Sequence, residues 1–136
     1  MAFYHVGGTC DVTFDAEADL RLLRYHIIKH GSAANGVTVA TANSEFLVGV
    51  LQNTPNINEE AVVRISGPSK CVCDGSTDIV AGNFITSDNS GHGVQQLAAD
   101  GDQVRYVVGR ALEPYADSTP VPIEILVNCV AVEASA

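Results

Sequence analysis

The stretch VGVL at residues 48–51, followed by AVVRI at residues 61–65, recurs later in the chain. With no gap, a shift of 60 positions places Gly49 on Gly109 and residues 61–65 on residues 121–125. In both copies a glycine begins a short apolar segment, a polar loop containing proline follows, and an alternating apolar run ends the unit. Alternation of apolar and polar residues is the period of a half-buried strand. The pattern predicts one β unit that is used twice.

Composition favours the same fold class. The chain has 136 residues, of which 46% are hydrophobic, yet it has no Trp and only 6% aromatic residues. The core must therefore be built from Val, Ile, Leu and Ala, and the β-branched members of that set favour strands. At this length one domain is expected. We predict an all-β protein with a single β-domain at residues 11–136, preceded by an arm or first strand at residues 1–10.

The net charge excludes some partners. It is −9, with 16 acidic and 7 basic residues and no basic cluster, so the chain repels phosphate backbones and nucleic-acid binding is not expected. The sequence has no run of about 18 apolar residues that would span a membrane. Residues 1–20 lack the charged start and apolar middle of a signal peptide. We expect no membrane partner and synthesis in a host cytoplasm.

The cysteines do not have the spacing of a metal site. Cys71 and Cys73 would face the same side of a strand, while Cys10 and Cys129 lie far away in sequence. A zinc site would usually combine two C-x₂₋₄-C pairs, which are missing here. We predict reduced thiols and no metal, and leave open whether Cys10 and Cys129 pair outside a reducing cell.

The histidines and carboxylates suggest no catalytic group. His26 and His30 have the spacing of a helical metal pair, but no glutamate lies between them and the isoleucines that separate them favour a strand. His92 lies alone in a glycine-rich turn. The acidic stretch 11–19 lacks the glycine and closing glutamate of a calcium loop, so we expect it to be solvated. No nucleophile elbow, P-loop or dinucleotide motif occurs. We predict no catalytic residues, no cofactor and no enzymatic activity.

The amino-terminal residues form the one candidate contact site. Phe3, Tyr4 and His5 precede the pair Gly7–Gly8. Aromatic residues ahead of a flexible double glycine could form an arm that orders on a partner, or they could form the first strand, because a terminus is ordered only when something holds it.

Local patterns predict the remaining strands and turns. Gly, Pro, Asn and Asp clusters are typical of turns, and alternating or continuous apolar runs between them are typical of strands. On this basis strands are expected at residues 25–28, 37–39, 46–51, 61–65, 70–73, 79–87 (interrupted at Gly82), 105–108 and 123–132, and a further strand is expected to begin at Val94. Turns are expected at residues 35–36, 66–69, 74–75, 88–93 and 100–102.

Four segments taken in order resemble one protein family. They are GVLQNTP at residues 49–55, EEAVVRISG at 59–67, IVAGNFITSD at 79–88 and VGRALE at 108–113. Together they resemble the tailed-bacteriophage capsid decoration, or cement, proteins. The resemblance spans about residues 18–127, and the order of the segments is more specific than any one of them. The sequence departs from the family in the loops at residues 56–58 and 114–122, so no contact residue is carried over from the family.

The resemblance implies a fold, a partner and a location. Members of this family are small β-barrel or β-tulip proteins that form homotrimers on the outer surface of the expanded phage head, where they clamp major capsid protein subunits. The expected location is therefore the virion. A small-ligand or carbohydrate-binding barrel is the alternative, although the four tyrosines are scattered through the sequence rather than gathered in loops.

Overall fold

The computed structural model describes residues 8–43, 45–96 and 103–134, and within these ranges the chain is all-β, with no helix. In this described part, no helix is long and apolar enough to cross a membrane. The described residues form nine strands: β1 (Cys10–Ala16), β2 (Ile27–His30), β3 (Gly36–Val39), β4 (Leu47–Leu51), β5 (Glu60–Cys73), β6 (Phe84–Ser87), β7 (Gly93–Gln95), β8 (Gln103–Ala111) and β9 (Val121–Ala134).

The first five strands close into a barrel. Their order is β1-β3-β2-β4-β5, and β5 pairs back with β1 to complete the ring. Only the β1–β3 contact within this ring is parallel, while its other four contacts are antiparallel. Closure removes the exposed edges that an open five-stranded sheet would have.

A second ring repeats this arrangement and shares β5 with the first. Its order is β5-β7-β6-β8-β9, and β9 pairs back with β5. Here too one contact, β5–β7, is parallel, and the other four contacts of the ring are antiparallel. Strand by strand, β1, β2, β3, β4 and β5 of the first barrel correspond to β5, β6, β7, β8 and β9 of the second. The internal duplication predicted from the sequence is therefore a repeat of topology.

The strand register refines the gapless alignment of the two copies. Val50 in β4 pairs with Arg64, and Arg110 in β8, 60 positions after Val50, pairs with Leu126. The equivalent of Arg64 is therefore Leu126, which lies 62 positions later. The shift of 60 positions is right for β4 and β8, the strands that contain the repeated glycine, and is two residues too short for β9. A two-residue error keeps every side chain on the same face of a strand, so alternation alone could not reveal it.

The predicted turn at residues 66–69 is wrong, because β5 runs through it without ending. Gly67 has a φ of +98°, and Ser66 pairs with both Cys10 of β1 and Asn128 of β9. The strand therefore bends at Gly67, where it leaves the first barrel and enters the second. Glycine and proline mark a local bend within a continuous strand here, as they do at β-bulges.

Two other strand boundaries differ from the expected ones. Tyr25 has a φ of +66°, so β2 begins only at Ile27. In the segment 79–87, Ile79 makes a single bridge to Tyr115 and regular pairing starts at Phe84. A φ of +93° at Gly82 turns the chain between them. Positive φ values occur in turns and cannot be continued along a strand.

The core consists of two clusters that meet at β4. Leu47 and Val50 pack in the cluster of the second barrel, while Val48 and Leu51 pack in the cluster of the first. All five residues of β4 are buried, so this strand has no solvent-exposed face. The buried members that fill the first barrel are Ala16, Leu20, Ile28, Val37, Val48, Leu51, Ala61 and Val63. Aliphatic side chains dominate, as the composition predicts.

Candidate functional site

The arm residues predicted from the sequence, Phe3, Tyr4 and His5, lie outside the described residues. The described chain begins at Gly8. A Cβ atom built on Gly67 would lie 2.6 Å from the carbonyl oxygen of Gly8 and 2.9 Å from the Cα atom of Thr9. The chain therefore enters the fold over the bend of β5, at the boundary between the two barrels.

An apolar groove lies beside this boundary, next to the start of β4 and the second half of β9. Two aromatic rings, those of Phe46 and Tyr106, pack at a centroid distance of 4.6 Å and an angle of 44°. Phe46 is 68% exposed and Val130 is 40% exposed. The cavity has a volume of about 160 Å³ and is lined by Phe46, Leu47, Tyr106, Val107, Cys129 and Val130.

Polar contacts position the aromatic pair. The Glu45 carboxylate accepts hydrogen bonds from the backbone N–H (2.9 Å) and hydroxyl (2.8 Å) of Thr41 and forms an ion pair with Lys29. These bonds hold the chain directly ahead of Phe46. On the other side, the backbone N–H of Tyr106 donates to the Asn43 carbonyl oxygen at 2.9 Å. The sequence prediction placed Phe46 in a buried strand, whereas its side chain projects into solvent one residue before β4.

The groove is smaller than the pockets that usually hold small ligands, which measure about 300–1,000 Å³. Phe46 and Tyr106 show that two aromatic side chains do gather at the surface, although they are distant in sequence. One aromatic pair over a shallow apolar groove is better suited to contact with another polypeptide than to enclosure of a sugar.

The loops at the far ends of the two barrels are acidic. In the first barrel Asp15, Glu59 and Glu60 are exposed beside a polar cleft, and in the second Asp78 and Asp117 are exposed at the equivalent end. The start of β5 lies at the first of these ends and its last residue at the second. Exposed carboxylates therefore lie at both ends of β5, while the apolar groove lies beside its middle.

Glu17 is not the simply solvated carboxylate that the sequence predicted. Its Oε1 atom accepts hydrogen bonds from the backbone N–H (3.0 Å) and hydroxyl (2.8 Å) of Ser32, and its Oε2 atom accepts one from the N–H of Ala33 (3.2 Å). The bonds from Ser32 and Ala33 lower the pKa of Glu17. Glycines at positions 31 and 36 leave room for the carboxylate, since a Cβ atom at either would lie 1.7 Å from Oε2. Glu17 thus fixes the turn between β2 and β3.

His26 and His92 come together in space, whereas His30 lies apart from them. The His26 and His92 ring centroids are 5.1 Å apart, and His92 Nδ1 is 3.2 Å from Asp88 Oδ2. Burial is the main cause that lowers the pKa of His26. His30 instead meets the ring of Phe14 at a centroid distance of 6.3 Å. The strand that the sequence predicted through the intervening isoleucines is confirmed by β2, and the pairing of His26 with His92 is a contact that sequence spacing could not reveal.

The four thiols are free; Cys10 is exposed, whereas the other three are wholly or partly buried. Cys71 and Cys73 are fully buried and point to the same side of β5, as the sequence predicted, where they pack against Gly93. The neighbouring thiol of Cys73, followed by burial, raises the pKa of Cys71, and burial raises the pKa of Cys129 to about 12. A thiol with a raised pKa is a poor nucleophile and a poor metal ligand at neutral pH. Within the described ranges, no group of three or more His, Cys, Asp or Glu side chains could hold a metal ion.

Comparison with known proteins shows that this fold is similar to that of a phage head protein. The N base of the head fiber protein gp8.5 of bacteriophage phi29 superposes with a TM-score of 0.60, covering 88% of this chain and 94% of that chain at 14% sequence identity. No protein-family model matches the sequence, and no curated protein matches it. At this identity the likeness establishes the fold: this chain shares the architecture of a phage head fiber base.

Proposed function

We propose that this chain is a structural protein of the bacteriophage virion, and specifically a capsid decoration protein that binds the outer surface of the expanded head. The observation that carries the proposal is the likeness in fold to a head fiber base over nearly the whole of both chains. The order of four sequence segments that resemble the decoration proteins supports it independently.

The surface of the protein is suited to this role. A decoration protein stabilises the head because it binds the expanded form and not its precursor, so that binding free energy adds to the stability of that form. Many copies act together on one particle, which makes a modest affinity per copy sufficient. The net charge of −9 gives no attraction to the packaged DNA, which leaves binding to depend on protein surfaces.

The proposed partner is the major capsid protein, and the proposed contact is the arm that contains Phe3, Tyr4 and His5. An extended arm can add as an edge strand to a sheet of the partner, where backbone hydrogen bonds supply affinity and alternate side chains supply specificity. A homotrimer would present three arms to neighbouring capsid subunits at once. The trimer is part of the proposal and rests on the resemblance to decoration proteins.

The first test is composition. Virions of a phage that encodes this chain would be purified and the chain quantified against the major capsid protein by mass spectrometry. We expect a copy number close to that of the capsid protein. Absence from the particles would overturn the proposal.

The second test removes the arm. Expanded heads that lack the protein would be mixed with the full chain or with a chain lacking residues 1–8, and the bound fraction would be measured after sedimentation. We expect the truncated chain to fold, with an unchanged β spectrum, and to lose attachment. A chain lacking residues 135–136 is the matched control and should bind normally. Full attachment of the chain without residues 1–8 would disprove the role of the arm.

A further inference from the structure

The two barrels differ in what covers the outer face of equivalent strands. In the first barrel Ile27 of β2 pairs with Val50 of β4, next to the repeated glycine. The equivalent pair in the second barrel is Phe84 of β6 with Arg110 of β8. Ile27 and Val50 are fully buried and pack in the core cluster of the second barrel. Phe84 is 44% exposed and Arg110 is exposed as well, so the same face of the second barrel is open to solvent.

This exposed face is largely apolar. Val80 is 58% exposed in the turn that precedes β6. Beside it lies a shallow cavity of about 360 Å³, which is lined by Ala81, Gly82, Arg110, Ala111, Leu112 and Leu126. Arg110 supplies the one charge among these lining residues. The Arg110 face of the second barrel is formed by Val80, Phe84, Arg110, Leu112 and Leu126.

Arg110 lacks the carboxylate that its counterpart in the first barrel has. There the arginine of the outer face is Arg64, whose Nε and Nη2 atoms donate to the Asp11 carboxylate at 2.8 and 3.2 Å. Arg64 lies opposite Asp11, and the equivalent opposed pair in the second barrel is Leu126 with Pro68, which has no carboxylate. Among the described residues, none forms an ion pair or hydrogen bond with the Arg110 side chain. A guanidinium among apolar side chains is suited to a carboxylate from another molecule, which it binds in a bidentate manner.

The opposite charge is found at the start of β5. Asp15 of β1 and Glu60 of β5 lie directly opposite each other, and both are exposed. Like charges at opposed positions of an antiparallel pair repel each other. Neither carboxylate has a hydrogen-bond or ion-pair partner within the described part of the chain. Arg21 lies within electrostatic reach of this end, but its guanidinium is already paired with Asp19 at 2.8 Å. A cation from another molecule would relieve the repulsion.

Exposed aliphatic side chains flank these two carboxylates. Leu22 is 93% exposed, and Ile57, three residues before Glu60, is 51% exposed. Their loops are adjacent, since the Leu20 N–H donates to the Pro55 carbonyl oxygen at 2.9 Å. The acidic end of the first barrel is formed by Asp15, Leu22, Ile57 and Glu60. It complements the Arg110 face in charge, and both surfaces have apolar area to bury.

We propose that the Arg110 face of one copy of this protein binds the acidic end of a second copy. The Arg110 guanidinium lies between the carboxylates of Asp15 and Glu60, and Phe84 packs against the exposed aliphatic side chains. The partner is a second copy because each chain carries both complementary surfaces. These surfaces differ, so the contact is heterologous, and successive copies close into a ring or extend into a filament. A ring of three is the homotrimer of the proposed function, and the inference rests on that function only for this number.

Sedimentation velocity of the purified protein, without heads and over a series of concentrations, measures the association. We expect the natural sequence to associate, and Arg110→Glu and Glu60→Arg each to raise the Kd roughly tenfold or more, because each brings like charges together. Asp117→Arg is the matched control for E60R, since Asp117 is exposed and belongs to neither surface. It should associate like the natural sequence. A natural sequence that stays monomeric throughout, or charge reversals without effect, would overturn the inference.

Charge exchange shows whether the two residues meet between copies. The double variant R110E/E60R restores opposite charges and has the net charge of the natural sequence. An equimolar mixture of R110E and E60R also places opposite charges at every contact between the two variants. We expect the double variant and the mixture each to associate roughly tenfold more tightly than either single variant alone. A mixture that stays dissociated would contradict pairing between copies, and unchanged far-ultraviolet circular dichroism would show that all variants fold.

The major capsid protein is the other occupant that the test distinguishes. If R110E associates like the natural sequence but loses attachment to expanded heads, the Arg110 face binds the capsid and the inference is overturned. Self-association is measured without heads. Its failure therefore leaves the proposed virion role intact, and absence of the chain from virions would leave the contact between copies intact.

Discussion

At the scale of single residues, His26 is a buried titratable side chain at the contact between the two barrels. It lies just before β2 of the first barrel, and its ring faces His92 in the turn between β6 and β7 of the second. Other charged or titratable groups near the pair are Asp88, which contacts His92, and Asp74, whose pKa is lowered chiefly by hydrogen bonds from Ser76 and to a lesser extent by His92. The fold keeps His26 neutral chiefly because burial penalises its charged form.

This burial predicts a loss of stability in weak acid. The pKa of His26 is lowered from 6.5 in the folded protein, so the unfolded chain binds the proton at a higher pH than the folded chain does. The stabilisation is complete above pH 6.5 and is lost as the pH falls from there toward the folded pKa. We expect the free energy of unfolding, measured in urea, to fall between pH 7.5 and pH 5.5.

The variant His26→Gln, which does not titrate, should show a flatter dependence on pH over this range. His30→Gln is the matched control, because His30 is exposed and is the last residue of β2, the strand that His26 precedes. It should retain the pH dependence of the natural sequence. An unaltered slope in H26Q would show that another group is responsible.

At the scale of strands, the repeated glycine marks a close backbone approach. A Cβ atom on Gly49 would lie 2.0 Å from the Arg64 carbonyl oxygen, and one on Gly109 would lie 2.0 Å from that of Leu126. Arg64 and Leu126 are the equivalent residues that strand register identifies in β5 and β9. The glycine recurs because the same packing constraint recurs, and this constraint is why it is the clearest sign of duplication in the sequence.

Substitution of either glycine should therefore destabilise the protein. We expect Gly49→Ala and Gly109→Ala each to lower the free energy of unfolding by about 1–3 kcal/mol, since the methyl group forces two strand backbones apart. Gly82→Ala is the comparison: its Cβ atom would meet no atom within 4 Å, but its φ is +93°. Its cost of about 1 kcal/mol would be conformational. Denaturant titration measures all three, and equal stability of G49A and the natural sequence would contradict the close approach.

At the scale of the whole molecule, the two barrels form one structural unit. They share β5, and both core clusters draw residues from β4. Unfolding of either barrel would remove a strand from the other, because β5 belongs to both. We therefore expect a single cooperative unfolding transition.

Core truncations on the two sides test this cooperativity. Leu51→Ala in the first barrel and Ile125→Ala in the second should each destabilise the protein by about 2–5 kcal/mol, because both side chains are fully buried. Each variant should shift the same transition, whether it is followed by tyrosine fluorescence or by far-ultraviolet circular dichroism. Two separate transitions in either variant would show that the barrels unfold independently.

The sequence by itself determined the fold class, the duplication and most strand positions. Alternation and turn residues report local backbone preferences, and these act within a few positions. The same information misjudged residues 66–69, where glycine and proline bend β5 without ending it. A local signal cannot distinguish a bend from a turn, because the distinction depends on whether partner strands continue on both sides.

Only the tertiary structure decided how the two units share β5 and which side chains meet. Phe46 lies 60 positions from Tyr106, and His26 lies 66 positions from His92, so no spacing rule brings either pair together. The two-residue offset of β9 likewise became visible only through hydrogen-bond register. Alternation has a period of two, so it fixes the face of a strand but not its register, and register is set by contacts between strands far apart in sequence.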